Sequence, residues 1–223
     1  STNNSYSLLN SSSINRFTGS DKLDNSKRIN YGFDISKNLL EFSLSQSYEL
    51  EKNNNYNQEV GLKDYMSDLL GQTSYNGNKN SLSHNFRFNV DQGLVKAQTL
   101  SYANKNILGN SNFLYTEERK ENNAILETGT ETMKIDFVSN KFFNYSNINL
   151  SSSFDLAKDD PKDYSIGYNY FDECFGLNIS FGRSFFEDRD LKPKDKLTIM
   201  FSFKNLGSYQ STNLAVSEKD KQD

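Results

Sequence analysis

Few side chains in this sequence have the type and spacing that chemistry requires. The densest candidate is Glu187-Asp188-Arg189-Asp190, where a carboxylate pair or a calcium site is conceivable. Calcium takes about six to eight oxygen ligands and a short linear run supplies few, so a solvated hairpin loop is expected. The single histidine, His84, falls in the apolar phase of the stretch 81–90. It has no nucleophile and carboxylate in a triad pattern, which predicts a structural or interfacial histidine. A Gly-x-Ser-x-Gly elbow and a glycine-rich phosphate loop are both absent. The one cysteine, Cys174, excludes an internal disulfide and a Cys/His zinc site. The expectation is a protein that is not an enzyme and carries no metal or cofactor.

The elements that would position any site are strands. In 163–207 three runs alternate apolar with small or polar residues. Tyr164, Ile166, Tyr168 and Tyr170 share one face, as do Phe175, Leu177, Ile179 and Phe181. Leu197, Ile199, Phe201 and Phe203 repeat the pattern, with Asn169, Asn178, Ser180, Thr198 and Ser202 opposite. Successive strand side chains point to opposite faces. Further strands are predicted at 28–36, 39–50 (with Gln46 interrupting the apolar face), 66–76, 81–90, 94–104, 110–119, 131–138 and 145–158. The stretch 51–65 reads as a longer loop, 120–130 as a loop, and Asp91-Gln92-Gly93 as a turn. Pro161 and Pro193 are expected in links outside the strands. No segment has a helical period. The apolar-faced part ends at residue 207, and 208–223 reads as a polar, flexible tail.

Composition fits this pattern. Only 35% of residues are hydrophobic, yet the chain holds 17 Phe and 13 Tyr, and mean hydropathy is -0.78. Disordered chains of such low hydropathy are poor in aromatics. A lipid-facing apolar wall around a wet lumen accommodates both facts. The fold class predicted is therefore all-β: an antiparallel transmembrane β-barrel in the outer membrane, with about ten or eleven strands here. Its aromatics Tyr168, Tyr170, Phe175, Phe181, Phe185 and Phe186 would form an interfacial girdle. A net charge of -4 gives no basic excess for nucleic acid. The opening STNNSYSLLN has no initiator Met, basic n-region or apolar h-region, so an upstream part with its signal peptide is expected to be missing. A general porin or diffusion channel is the alternative, and an outer-membrane enzyme or a soluble β-rich surface protein are the others.

Two stretches carry a family resemblance. FDECFGLNISFGRSFFEDRDLKPKDKLTIMFSFKNLG resembles the closing strands of the LPS-assembly outer-membrane proteins, the LptD family, through Asp172-Glu173-Cys174-Phe175, Arg183-Ser184-Phe185, the loop Asp188–Pro193 and the final Phe-x-x-Lys-x-Leu-Gly. INRFTGSDKLDNSKRINYGFDI (14–35) resembles the family's Asn-Arg-Phe-x-Gly-x-Asp segment before an Asn-Tyr-Gly strand, and SQSYEL and SDLLGQ fit the same register. The likeness is greatest to alphaproteobacterial members. It implies the C-terminal portion of a barrel of about 26 strands that inserts lipopolysaccharide into the outer leaflet. It also implies an LptE-type lipoprotein plugging the lumen and a periplasmic LPS-bridge protein contacted through a missing N-terminal domain. The strand Lys196, Leu197, Thr198, Ile199, Met200, Phe201, Ser202 and Phe203 would be the last, and so one lip of a lateral gate. Phe201-Ser202-Phe203 partly fits the ending read by barrel-insertion machinery, with Thr198 where that motif has glycine. Cys174 would form a disulfide to the missing region, although family members often carry two adjacent cysteines there.

Overall fold

The computed structural model describes residues 6–13, 16, 26–51, 62, 65–122, 125–142, 145–185, 194–204 and 207–214. After a one-turn helix, α1 (Leu8–Ser11), all regular structure is β. The strands are β1 (Arg28–Lys37), β2 (Leu40–Glu49), β3 (Leu69–Asn76), β4 (Asn80–Asn89), β5 (Leu94–Lys105), β6 (Gly109–Asn122), β7 (Ile125–Ser139), β8 (Ser146–Asp155), β9 (Asp160–Phe171), β10 (Phe175–Ser184), β11 (Lys194–Phe203) and β12 (Gly207–Leu214). They form one 12-stranded sheet in sequence order, β1 through β12. Each strand pairs with its neighbours in the chain, the connectivity that up-and-down barrels use. The chain divides into two compact units, residues 1–102 with 115–131 and residues 103–114 with 132–223.

Turn chemistry sets the hairpins. Asn38 adopts φ 55 between β1 and β2, and Gly93 adopts φ 68 between β4 and β5, the left-handed region that Asn and Gly tolerate. Asn89 closes the second turn, its side chain accepting from the Gln92 N–H at 2.8 Å and its carbonyl from the Gly93 N–H at 2.9 Å. The expected Asp91-Gln92-Gly93 turn is therefore present.

Four expectations need correction. Residues 120–130 were expected to loop, but β6 runs to Asn122 and β7 starts at Ile125. The sequence Glu117-Glu118-Arg119-Lys120 is polar on both faces, so it shows no period of two although its backbone still pairs. Pro161 lies inside β9, opposite Phe154, where the β8–β9 register shifts. A proline is tolerated at a strand start or a bulge because no ladder N–H is needed there. The residues expected as a flexible tail begin with β12, which pairs antiparallel with β11 (Phe201 with Tyr209, Phe203 with Gly207). Ladder bonds come from the backbone, so a polar sequence can extend a sheet wherever an edge would otherwise be open. Finally, Leu8–Ser11 is helical, its entry held by the Ser7 N–H donating to the Asn10 side chain at 2.8 Å. One turn is too short to display a helical period.

Candidate functional site

The distinguishing feature is the sheet's inverted polarity. In the first unit, Ile29, Tyr31, Phe33 and Ile35 of β1 lie in register with Tyr48, Gln46, Leu44 and Phe42 of β2. The row continues through Leu69, Gly71, Thr73 and Tyr75 of β3 to Phe88, Phe86, His84 and Leu82 of β4. Ile29, Phe33 and Ile35 are half or more exposed. On the opposite face several polar residues are buried: Ser47 and Glu49 are 1% exposed, and Ser74 and Arg87 are also buried, while Asn30, Asp34 and Ser36 of β1 are exposed. Water-soluble sheets arrange these classes the other way round.

Arg87 Nε lies 3.5 Å and Lys96 Nζ 3.8 Å from Asp68 Oδ2, and the Asn89 amide donates to Asp68 at 3.2 Å. Burial pushes the Asp68 carboxyl up, opposed by Lys96, Arg87 and the Asn89 bond. Among the described residues the buried apolar side chains are only Tyr6, Leu62 and Leu70.

The second unit repeats the inversion. Ile148, Leu150 and Phe154 of β8 share a face with Tyr168, Ile166 and Tyr164 of β9. That face continues through Ile179, Phe181 and Leu177 of β10 to Ile199, Leu197 and Phe201 of β11. Ile166 is 50% exposed. The other face is a carpet of amides and hydroxyls. The Asn169 amide donates to Asn147 at 2.8 Å and Asn149 at 3.0 Å, while the Asn178 amide donates to Asn169. The Ser151 hydroxyl donates to Asp136 at 2.6 Å.

Aromatic rings gather at both ends of the apolar face. Tyr170, Phe175 and Phe203 form one group, with Phe175 at 6.2 Å from Tyr170 and 5.4 Å from Phe203. Tyr164, Phe181 and Phe185 form the other, Tyr164 lying 6.5 and 5.6 Å from the two phenylalanines. Of the residues expected as a girdle, Tyr170 and Phe175 fall in the first group and Phe181 and Phe185 in the second, while Tyr168 lies between them with its ring 6.2 Å from Phe142. Phe186 lies outside the described residues, as do Glu187, Asp188, Arg189 and Asp190.

Polar side chains that interrupt the apolar rows are bonded. Gln46, which interrupts the β2 alternation, accepts from the Tyr31 hydroxyl at 2.6 Å and donates to the Ser67 carbonyl at 2.9 Å. His84 Nε2 meets Gln98 Oε1 at 3.1 Å, and Gln98 donates to Glu117 at 2.6 Å. Tyr115 donates to Glu131 at 2.8 Å. His84 is therefore one end of a polar row linking β4, β5, β6 and β7. The row was not legible in sequence, because its members are spread over nearly fifty residues and share no motif.

Cys174 is exposed and free. It sits in the β9–β10 turn, one residue before β10, with its N–H donating to Asp172 Oδ1 at 2.8 Å. Asp172 also accepts from the Phe175 N–H at 2.7 Å and the Tyr170 hydroxyl at 2.8 Å. The Cys174 and Phe175 N–H groups, with that hydroxyl, hold the Asp172 carboxyl below the usual range. The acidic-Cys-aromatic step is thus a turn built around one carboxylate, which presents the thiol outward.

Residues 196–203 do not form the last strand. β11 pairs with β10 on one side (Ile179 with Ile199, Phe181 with Leu197) and with β12 on the other. Leu197, Ile199, Phe201 and Phe203 face the apolar side, and Lys196, Thr198, Met200 and Ser202 the polar side. Among the described residues β12 follows it, one strand further on. No family model matches the chain.

Proposed function

We propose that this chain is part of the wall of an outer-membrane β-barrel that delivers lipopolysaccharide to the outer leaflet. The observation that carries the membrane reading is the inversion: large apolar side chains exposed in rows while Ser47, Glu49, Asp68 and Arg87 are buried on the opposite face. In lipid the exposed rows meet hydrocarbon and the polar face meets water in a lumen. Ten-residue strands such as β1, β8 and β10 rise about 33 Å along their axes, or roughly 25 Å across a bilayer at a 40° tilt.

The finer reading rests on the ordered motifs shared with LPS-assembly proteins. In it the polar face lines a lumen that an LptE-type lipoprotein fills, LPS arrives from a periplasmic bridge protein, and Cys174 pairs with a segment outside this chain. A laterally opening seam would use the β12 edge, because β11 is paired on both sides. Depletion of the protein in its host tests the reading. It predicts loss of LPS from the cell surface and co-purification of a lumen-filling lipoprotein. Normal surface LPS, with the purified protein conducting ions in planar bilayers, would refute it in favour of a diffusion channel.

A further inference from the structure

The only buried apolar cluster among the described residues packs a peptide segment onto the polar face of β2 and β3. Tyr6, at 2% exposure, packs with Leu62 and Leu70, and Leu8 covers them. The Tyr6 hydroxyl lies 3.3 Å from Ser47 Oγ and 3.2 Å from Ser67 Oγ. Ser45 donates to Ser11 at 3.3 Å, and the Arg28 guanidinium donates to the Ser13 carbonyl. Arg16 Nη2 reaches Glu49 Oε1 at 2.8 Å, with both side chains at 0–1% exposure, and the Arg16 guanidinium stands 5.7 Å over the Tyr6 ring. Ser45, Ser47 and Glu49 alternate along β2 away from its apolar residues, so every one of these contacts lies on the polar side. Beside α1 lies an open groove of about 350 Å³ lined by Leu8, Ser11, Asn30, Gly32, Asp34 and Ser43.

We infer that residues 6–13 with Arg16 are a releasable strap, latched by the Arg16–Glu49 pair, whose opening uncovers the β2–β3 polar face. Three features make the strap releasable. Among the described residues its apolar anchor is Tyr6, Leu62 and Leu70 with Leu8 against them, small beside any folded core. Its latch is a buried ion pair, whose attraction is largely spent on desolvation. The latch is also half satisfied, since Glu49 Oε2 is buried and makes no hydrogen bond among the described residues, and an unmet buried acceptor favours the open form, where water supplies the bond. The geometry of the strap stands whatever the barrel transports. Its consequence, control of entry to a lumen, rests on the function proposed above.

The test is thiol accessibility in the full-length protein in detergent, with Cys174→Ser as background. Ser11→Cys places a probe thiol under the strap, where Ser11 is 3% exposed. A water-soluble maleimide should label it slowly, at a rate independent of low denaturant concentrations. Glu49→Gln should raise that rate at least tenfold, and Arg16→Gln should do the same if the first variant folds poorly. A Ser11→Cys/Ser45→Cys disulfide should hold the strap closed and block labelling of both thiols, reversed by reductant. Labelling that occurs only with global unfolding, or equal rates in parent and both latch variants, would overturn the strap. Normal strap kinetics in a protein whose depletion leaves surface LPS intact would overturn the transport reading alone.

Discussion

Replacing Ile166 with arginine separates a membrane wall from a water-soluble sheet with one side chain. Ile166 lies in register with Leu150 on β8 and Phe181 on β10, between the aromatic groups at Tyr164 and Tyr170. Those tyrosines are about 20 Å apart along β9, or about 15 Å in depth at barrel tilt. In the proposed membrane wall Ile166 would face hydrocarbon between these groups, where an arginine would cost about 2–4 kcal/mol at the bilayer midplane. That lowers the folded-to-unfolded ratio roughly 30- to 1,000-fold. In water the same half-exposed position would change stability by about 0.5 kcal/mol or less. Ser165→Arg, one residue away, puts the charge on the opposite face beside Ser151 and Gly182, where a wet lumen accepts it. The assay is urea-dependent folding of the full-length chain into phospholipid vesicles, followed by heat-modifiable gel mobility. Ile166→Arg should shift the midpoint far more than Ser165→Arg. Equal effects, or tolerance of Ile166→Arg in a folded protein, would refute the assignment of faces.

Three further outcomes follow from single contacts. Gly71→Val should destabilise by about 1–3 kcal/mol in the same titration, because a Cβ there would sit 2.1 Å from the Phe86 ring; combining it with Phe86→Ala should recover part of the loss. Asp172 has a depressed carboxyl pKa in the folded turn, so its contribution is complete above the unfolded value of about 3.9 and disappears as pH falls through the folded value. Acid titration should show a component between those two points that Asp172→Asn removes, and an identical profile in that variant would exclude the turn as its source. Cys174, exposed beside that turn, should react with maleimide in the folded chain without denaturant; if instead the full-length protein protects it until reduced, a disulfide to another segment is established.

The apolar rows were legible because alternation is the signature of a sheet with two different faces. Tyr164 to Tyr170, Phe175 to Phe181 and Leu197 to Phe203 each kept their phase from sequence to register. What was illegible lacks alternation. The far half of the β6–β7 hairpin and β12 have no sustained apolar alternation, so only backbone pairing marks them as strands. For the same reason the strand at 196–203 looked terminal: the apolar pattern ends there, although the ladder does not.

The strap was hidden for a different reason. Arg16 and Glu49 are an exposed-looking cation and anion thirty-three residues apart, and nothing local joins them. Placing them requires knowing that the odd positions of β2 face a polar interior, which is itself a consequence of the inversion. The usual rule would put Phe42, Leu44 and Tyr48 inside and Ser45, Ser47 and Glu49 in water. Here the residues with least claim to burial are the ones buried, and a short peptide supplies their partners. In the proposed membrane wall lipid, rather than a protein core, would cover the apolar face of this chain of mean hydropathy -0.78. Low hydropathy and a well-ordered sheet are then two results of the same arrangement, and in a water-soluble domain they would be in conflict.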